Sequence, residues 1–328
     1  MTGSRRYAWR RRAGGALIAV TAFVGLAGPR LAPHQTQTMF DDRTFAPPTR
    51  IRVVHDGALH APFIHPLVIE NRVARTYRED TGVRVPLRWF HDGRLLSTGD
   101  AAEPLLLLGA DALGRDVFSR AVLGARLSLG VTALGIVGAL IIGSIVGGLA
   151  GSAGGWTDTT LMGVADFLMA LPGAYLVLVL RGALPLVLST AQVFWLMAML
   201  FALAAWPHAA RGVRAIVQSE RARDYALAAR AAGAGPWRLA RHLMPAARGF
   251  LATEIVLLIP ALLVAEATVS YLGLGFADAQ ASWGRMLQDA ANGSVLTDAP
   301  WMLTPAVGVF LVVLGAQLMG VARGRQGW

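Results

Sequence analysis

Long apolar stretches without charged residues alternate along this chain with short segments that are rich in arginine. A stretch of about 20 apolar residues is long enough to cross the hydrocarbon core of a bilayer as an α-helix. The pattern predicts an all-α polytopic membrane protein with six transmembrane helices. The predicted helices span about residues 13–32, 127–150, 160–180, 191–210, 249–276 and 301–322.

The stretch between the first two predicted helices, residues 33–104, has a different character. It is polar, rich in Arg, His, Asp and Pro, and it includes short β-like pieces at 51–54 and 83–90. This composition favours a small extracytoplasmic insertion between helices 1 and 2. The predicted divisions of the chain are residues 1–32 (cytoplasmic start and first helix), 33–125 (extracytoplasmic segment), 126–322 (five-helix transmembrane domain with a cytoplasmic loop at 211–248) and 323–328 (cytoplasmic end).

The first apolar stretch follows a cluster of arginines, so a cleaved signal peptide is an alternative to a membrane anchor. Pro29 and Arg30 interrupt the place where small residues would mark a cleavage site, which favours an uncleaved anchor. With the N-terminus inside, 15 arginines lie in the predicted inner segments and 7 lie in the short outer loops and beside the outer helix ends. By the positive-inside rule, both termini are predicted to be cytoplasmic.

Composition supports a membrane protein and excludes several functions. Hydrophobic residues make up 55% of the chain and charged residues only 15%, too few charges for a fully water-facing surface. The net charge of +10 follows membrane topology and does not indicate nucleic-acid binding. All 30 basic residues are arginine, so the chain lacks the lysine of a nucleotide-binding P-loop. If transport by this chain is powered by ATP, another chain therefore hydrolyses it. The chain itself is predicted to be non-enzymatic and to need no cofactor.

The second predicted helix contains glycines at positions 135, 138, 143 and 147 and not one charged residue. Glycines spaced in this way let a neighbouring transmembrane helix approach closely. This helix is therefore expected to pack tightly against another span.

The segment 222–245, between the fourth and fifth predicted helices, is the most informative part of the sequence. An alanine-rich, helix-favouring stretch comes first, and Gly233, Gly235 and Pro236 then interrupt it. A second short helix is expected to stop at Pro245. One interpretation of this helix–break–helix element is an amphipathic surface helix held by anionic headgroups through its arginines.

A different interpretation comes from a resemblance. The segment resembles the EAA loop of binding-protein-dependent ABC importer permeases, with Ala228, Ala229, Gly233 and Pro245 at the family spacing. Leu227 stands where the family has glutamate. In that family the loop docks on a cytoplasmic ATPase. The resemblance therefore implies an ATPase-coupling site formed by Asp224, Tyr225, Ala228, Ala229, Gly233 and Pro245.

Three further stretches resemble the dipeptide, oligopeptide and nickel branch of these permeases. They are residues 108–130, with the motif GRDVFSR, residues 265–276, with SYLGLGF, and residues 281–287, ASWGRML. The resemblance implies the type I importer permease fold in a bacterial inner membrane and a path for peptides or similar solutes. It also implies three partners besides the lipid bilayer: ATP-binding subunits, a second and homologous permease subunit, and an extracytoplasmic solute-binding protein.

Carboxylates inside predicted membrane helices are candidates for the translocation path, because burying a charge in the bilayer is costly. Asp166 and Glu266 have two open interpretations, since each can line the path or brace its helix through hydrogen bonds. Glu254 lies closer to the inner end of its helix and can reach the headgroups. His208 and His242 are isolated histidines near membrane boundaries, and no metal site is predicted from them.

Two functions of other classes remain as alternatives. An ion-coupled secondary transporter would use Asp166 and Glu266 as coupling carboxylates, although the two halves of the chain show no inverted repeat. A membrane-anchored enzyme would place its active site in residues 33–104, but that segment is small for an enzyme domain. A solvated extracytoplasmic cap is the interpretation favoured for it.

Overall fold

The computed structural model describes residues 2–55, 57–72, 74–99, 102–171, 175, 179, 182–183, 188–277, 280–291 and 293–323. The described helices are α1 (Thr2–Leu31), α2 (Val117–Ala153), α3 (Gly155–Ala170), α4 (Thr190–Glu220), α5 (Asp224–Ala231), α6 (Pro236–Leu243), α7 (Arg248–Tyr271), α8 (Trp283–Asp289), α9 (Gly293–Asp298) and α10 (Thr304–Arg323). Short 3₁₀ turns occupy Asp41–Arg43, Met244–Ala247 and Pro300–Leu303. Contacts divide the chain into a first unit (Met1–Ile18, Gly130–Val269 and Val312–Trp328) and a second unit (Ala19–Leu129 and Ser270–Leu311).

Five helical stretches of the described chain are long and apolar enough to cross a membrane. They coincide with five of the six predicted spans. The third predicted span, 160–180, overlaps α3 as far as Ala170, while Pro172 and several residues after it lie outside the described residues. The five stretches are Ala8–Leu31, Val117–Ala153, Thr190–Glu220, Trp237–Tyr271 and Pro300–Gly320.

In the first unit, the glycines of α2 face α4, which confirms the predicted close approach. A Cβ atom built on Gly135, Gly138 or Gly143 would lie 2.8, 2.7 or 2.6 Å from a side-chain carbon of α4. At Gly147 the added atom would collide with the backbone carbonyl of Ala210. The missing side chains therefore allow the two helices to pack backbone against backbone.

The predicted end of the fourth helix, at residue 210, is wrong, since α4 continues to Glu220. Two ion pairs with α3 explain the extension. Arg214 binds Asp158 through both carboxylate oxygens, with Nη2 at 2.6 Å, and Arg211 Nη2 lies 2.6 Å from Asp166. These arginines were expected to mark a loop, but their partners and the buried Val213 and Val217 keep the chain helical.

The described residues of the polar segment form three small antiparallel sheets in the second unit, so the predicted β-like pieces are confirmed. Their order is β1–β2–β5, β3–β4 and β6–β7. Apolar side chains beneath them are buried, among them Ile64, Leu67, Leu105 and Leu106. The strands are β1 (Arg52–His55), β2 (Ala58–Ile64), β3 (Leu67–Asn71), β4 (Thr76–Glu79), β5 (Val85–Pro86), β6 (Arg88–His91) and β7 (Arg94–Ser97).

His34 follows α1 in the second unit, and its surroundings favour the neutral ring. Its Nε2 hydrogen-bonds to the carbonyl of Leu105 at 3.2 Å, and its backbone N–H donates to Ser119 Oγ at 3.0 Å. Burial lowers the pKa of His34 to about 4, because the charged imidazolium would lose hydration there. A neutral ring with its proton on Nε2 donates a hydrogen bond to the Leu105 carbonyl.

Acidification from pH 7 to pH 5 is expected to lower the contribution of His34 to the free energy of unfolding by about 2 kcal/mol. The folded-state pKa lies below the ordinary 6.5, so stabilisation that is complete above pH 6.5 is lost as the pH falls toward 4. Asp116 acts in the opposite direction, because burial raises its pKa to about 6. Thermal melting of the wild type and of His34→Gln at both pH values isolates the His34 contribution, since the glutamine amide can donate to Leu105. A stability difference independent of pH would contradict it.

Candidate coupling loop and buried ion cluster

The segment between α4 and α7 forms the helix–break–helix element predicted from its sequence. It consists of α5, a break at residues 232–235, α6, and the 3₁₀ turn Met244–Ala247, which leads directly into α7. Proline stands at the start of α6, where its missing N–H costs no helical hydrogen bond. We call α5, the break, α6 and the turn the coupling loop.

Gly233 ends α5 through a backbone arrangement that glycine favours. Its φ angle is +82°, in the left-handed region that is costly for residues with a Cβ. Its N–H donates to the carbonyl of Arg230 at 2.9 Å, and the N–H of Ala234 donates to Ala229 at 3.0 Å. These two bonds form a Schellman motif. The path of the chain from α5 to α6 is therefore set by the backbone conformation at Gly233 and by these two hydrogen bonds.

The inner face of the coupling loop packs against α4. Ala226, Leu239, Leu243 and Ala247 are buried in one cluster with Val213 and Val217 of α4. Partly buried side chains, including Ala229 and Phe250, pack against the same cluster. Burial of this apolar surface anchors both short helices, because neither is long enough to be stable in isolation.

The outer face of the loop carries most of the predicted coupling residues. Asp224, Tyr225, Ala228, Gly233 and Pro245 are exposed, whereas Ala229 is half-buried against the α4 cluster. Exposed Leu227 and Trp237 add apolar surface that the sequence motif did not single out.

A polar contact fixes one end of this face. The hydroxyl of Tyr225 donates to Glu220 Oε2 at 2.7 Å, and Arg223 lies 3.1 Å from Glu220 Oε1. The hydrogen bond to Glu220 raises the pKa of Tyr225. Glu220 thereby supplies a carboxylate at the loop, although Leu227 replaces the glutamate of the family pattern.

The carboxylates in the predicted membrane helices have different surroundings. Asp166 is half-exposed and paired with Arg211, which supports the bracing alternative for this residue. Glu254 and Glu266 are both buried, and Glu266 has no exposed surface. His208 lies within electrostatic range of Glu254.

In the second unit, the GRDVFSR motif builds a buried ion cluster that the sequence did not reveal. Asp111 Oδ2 accepts from Arg115 Nε at 2.7 Å and lies 3.4 Å from Arg120 Nε. Asp289, the last residue of α8, lies 3.5 and 3.3 Å from Nη2 of the same two arginines. The side chains of Arg115 and Arg120 are only 3% and 1% exposed. The sequence offered one signal, since both arginines flank the second helix on the side predicted to be extracytoplasmic, where the positive-inside rule disfavours arginine.

The same motif explains why α2 begins at Val117 and not at the predicted residue 127. The Asp116 carboxylate accepts from the N–H groups of Phe118 and Ser119, at 3.2 and 3.0 Å, and caps the helix. The indole N–H of Trp283, in the ASWGRML stretch, donates to the carbonyl of Ala121 at 3.0 Å. Two stretches quoted separately for their resemblance are therefore joined in one packed region.

A family model for the binding-protein-dependent transport system inner membrane component matches residues 117–323. The chain belongs to this family. The match begins at the first residue of α2 and ends at the last residue of α10. It includes the coupling loop and leaves residues 33–104 outside.

The relatives are permeases for several small solutes. The chain is 37% identical over 214 residues to the oligopeptide transport system permease protein of Bacillus subtilis, covering 65% of this chain and 68% of the relative. It is 36% identical over 216 residues to the nickel transport system permease protein of Escherichia coli, covering 66% and 76%. The glutathione transport system permease protein of Pectobacterium atrosepticum is 32% identical over 216 residues, covering 65% and 69%. The resemblance to importer permeases of the peptide and nickel type is confirmed.

Proposed function

We propose that the chain is the membrane-spanning subunit of an ABC importer and forms part of the path for peptides or similar small solutes. The observation that carries the proposal is the exposed, backbone-fixed coupling loop between two spans of a family member. Separate ATP-binding subunits hydrolyse ATP, a homologous second permease completes the path, and a solute-binding protein delivers solute from outside. No cofactor is required.

The proposed topology has six transmembrane helices of the type I importer permease, with both termini in the cytoplasm of a bacterium. Residues 1–32 hold the first helix, 33–125 form the extracytoplasmic segment, 126–322 form the transmembrane domain and 323–328 form the cytoplasmic end. The concentration of arginine at 211–248 supports the cytoplasmic placement of the coupling loop.

The loop has the structure that a coupling role requires. Its outer face offers Tyr225, Leu227 and Ala228 to a partner, while its inner face is packed on α4. Because the break at Gly233 is fixed by hydrogen bonds, a push on α5 is transmitted to α4 and α7 and shifts the permease between two states. Glu266, fully buried in α7, is proposed as the carboxylate associated with the path.

Arginine at position 228 is expected to reduce co-purification of the ATPase about tenfold or more. Ala228 is exposed on a helix, so Ala228→Arg leaves the fold intact and places a bulky charge in the proposed contact. The measurement is a pull-down from detergent-solubilised membranes at equal permease abundance. The matched control is Ala215→Arg, at an exposed alanine of α4 outside the coupling loop.

The outcomes of this pull-down separate two errors. If no ATP-binding chain accompanies the wild-type protein, the importer proposal is wrong. If the ATPase accompanies wild type and Ala228→Arg equally, the importer proposal stands but the outer face of α5 is not the contact.

A further inference from the structure

A groove of about 380 Å³ lies in the first unit, beside α6 and between residues of α2 and α7. Its lining is largely apolar. Apart from a serine, the polar lining consists of the two arginines Arg241 and Arg248, both exposed. The side chains that define it best are Ile145, Trp237, Met244, Leu251, Arg241 and Arg248.

The charge of the groove is positive and uncompensated. No carboxylate is among the lining residues. Within the part of the chain that the structure describes, neither Arg241 nor Arg248 forms an ion pair. An occupant with an apolar body and an anionic group matches this combination.

The groove continues an apolar surface along α2. Val137, Ile141 and Ile145 follow one another at four-residue spacing, so they share one face of the helix, and all three are exposed. On α7, Leu251 lines the groove and Ile255, one turn further, is exposed. In a membrane-spanning segment, exposed apolar side chains of this kind face acyl chains.

We propose that the groove binds an anionic phospholipid. Arg241 and Arg248 hold its phosphate, and an acyl chain lies in the groove and along the α2 face that ends at Ile145. Trp237, 58% exposed, takes the headgroup-level position that tryptophan favours. The proposed ATPase contact at Tyr225, Leu227 and Ala228 lies on α5, whereas the groove is lined from α6 and the 3₁₀ turn, including Pro245. Headgroup contact is thereby assigned to α6, and the outer face of α5 is left for a protein partner.

Native mass spectrometry of the full-length protein in detergent tests the proposal, with phosphatidylglycerol and phosphatidylcholine of identical acyl chains as probes. Phosphatidylglycerol is expected to bind with an affinity higher than that of phosphatidylcholine. Since each arginine near an anionic headgroup contributes about fivefold, the double variant Arg241→Gln/Arg248→Gln should lose about twenty-five-fold in affinity for phosphatidylglycerol.

The matched control removes the same charge from the same loop. Arg230 and Arg238 are exposed on α5 and α6 and do not line the groove. The double variant Arg230→Gln/Arg238→Gln should keep the preference for phosphatidylglycerol. Equal losses of phosphatidylglycerol affinity in both double variants would show that the basic loop attracts anionic lipid nonspecifically. The proposed site would then be rejected.

A second pair of variants tests the acyl-chain position. Ile145→Trp fills the groove and is expected to weaken phosphatidylglycerol binding about tenfold. Val164→Trp, at an exposed apolar position of α3 that does not line the groove, should leave the binding unchanged. Loss of a bound permease partner in Ile145→Trp without any change in lipid binding would show that protein covers this face, and the proposal would fail. Displacement of the lipid by soluble glycerol 3-phosphate would likewise reject it, since a free phosphate would then suffice.

Discussion

Leucine at position 147 is expected to force α2 away from α4 and to lower the free energy of unfolding by about 3 kcal/mol or more. A Cβ atom at Gly147 already collides with the backbone carbonyl of Ala210, and a backbone cannot move aside as a flexible side chain can. The measurement is the temperature at which detergent-solubilised Gly147→Leu loses its monodisperse peak in size-exclusion chromatography, compared with wild type.

Gly163 provides the control for this substitution. It lies within α3, and an added Cβ meets no atom within 4 Å. Gly163→Leu should therefore melt within a few degrees of wild type. Equal melting of Gly147→Leu and Gly163→Leu would show that α2 and α4 do not rely on the close approach.

Asparagine at position 111 is expected to destabilise the second unit by about 3–5 kcal/mol. The substitution keeps the size of the side chain and an acceptor for the N–H groups of Leu113 and Arg115. It removes one of the two carboxylates that neutralise two guanidinium groups buried from water. Thermal melting followed by tryptophan fluorescence measures the loss.

Two further variants locate the effect in the buried charge. Asp298→Asn changes an exposed aspartate of the same unit and should stay within about 0.5 kcal/mol of wild type. Asp289→Asn, at a more exposed position of the cluster, should cost less than Asp111→Asn. If Asp111→Asn melts like Asp298→Asn, the arginines are hydrated and the cluster contributes no net stability.

Local sequence signals accounted for the features that depend on a few neighbouring residues. Four spaced glycines predicted a close helix contact, because a face without side chains permits close backbone approach whichever helix packs against it. Gly233 and Pro236 predicted the break between α5 and α6, because φ preferences and missing N–H groups act within one turn. The partner of the glycine face, α4, was not predictable, since nothing within α2 encodes which span lies beside it.

The ion cluster shows why other features escaped prediction. Arg120 and Asp289 are 169 positions apart, and neither neighbourhood contains a signal for the other. Arg211 and Arg214 were assigned to a loop by their charge, but pairing with Asp166 and Asp158 lets them continue α4. A helix end predicted from charged residues alone is therefore placed wrongly wherever a distant residue in the fold neutralises their charge.

Because of the Schellman turn at Gly233, the shape of the coupling loop does not depend on which side chains its outer face carries. Backbone hydrogen bonds and the inward-facing Ala226 and Leu239 define the shape, so an outward residue such as Leu227 can change without refolding the loop. Under the proposed function, a substitution at an outward position changes which ATP-binding subunit the permease recognises, because the side chain at the contact changes while the packed element beneath it stays the same.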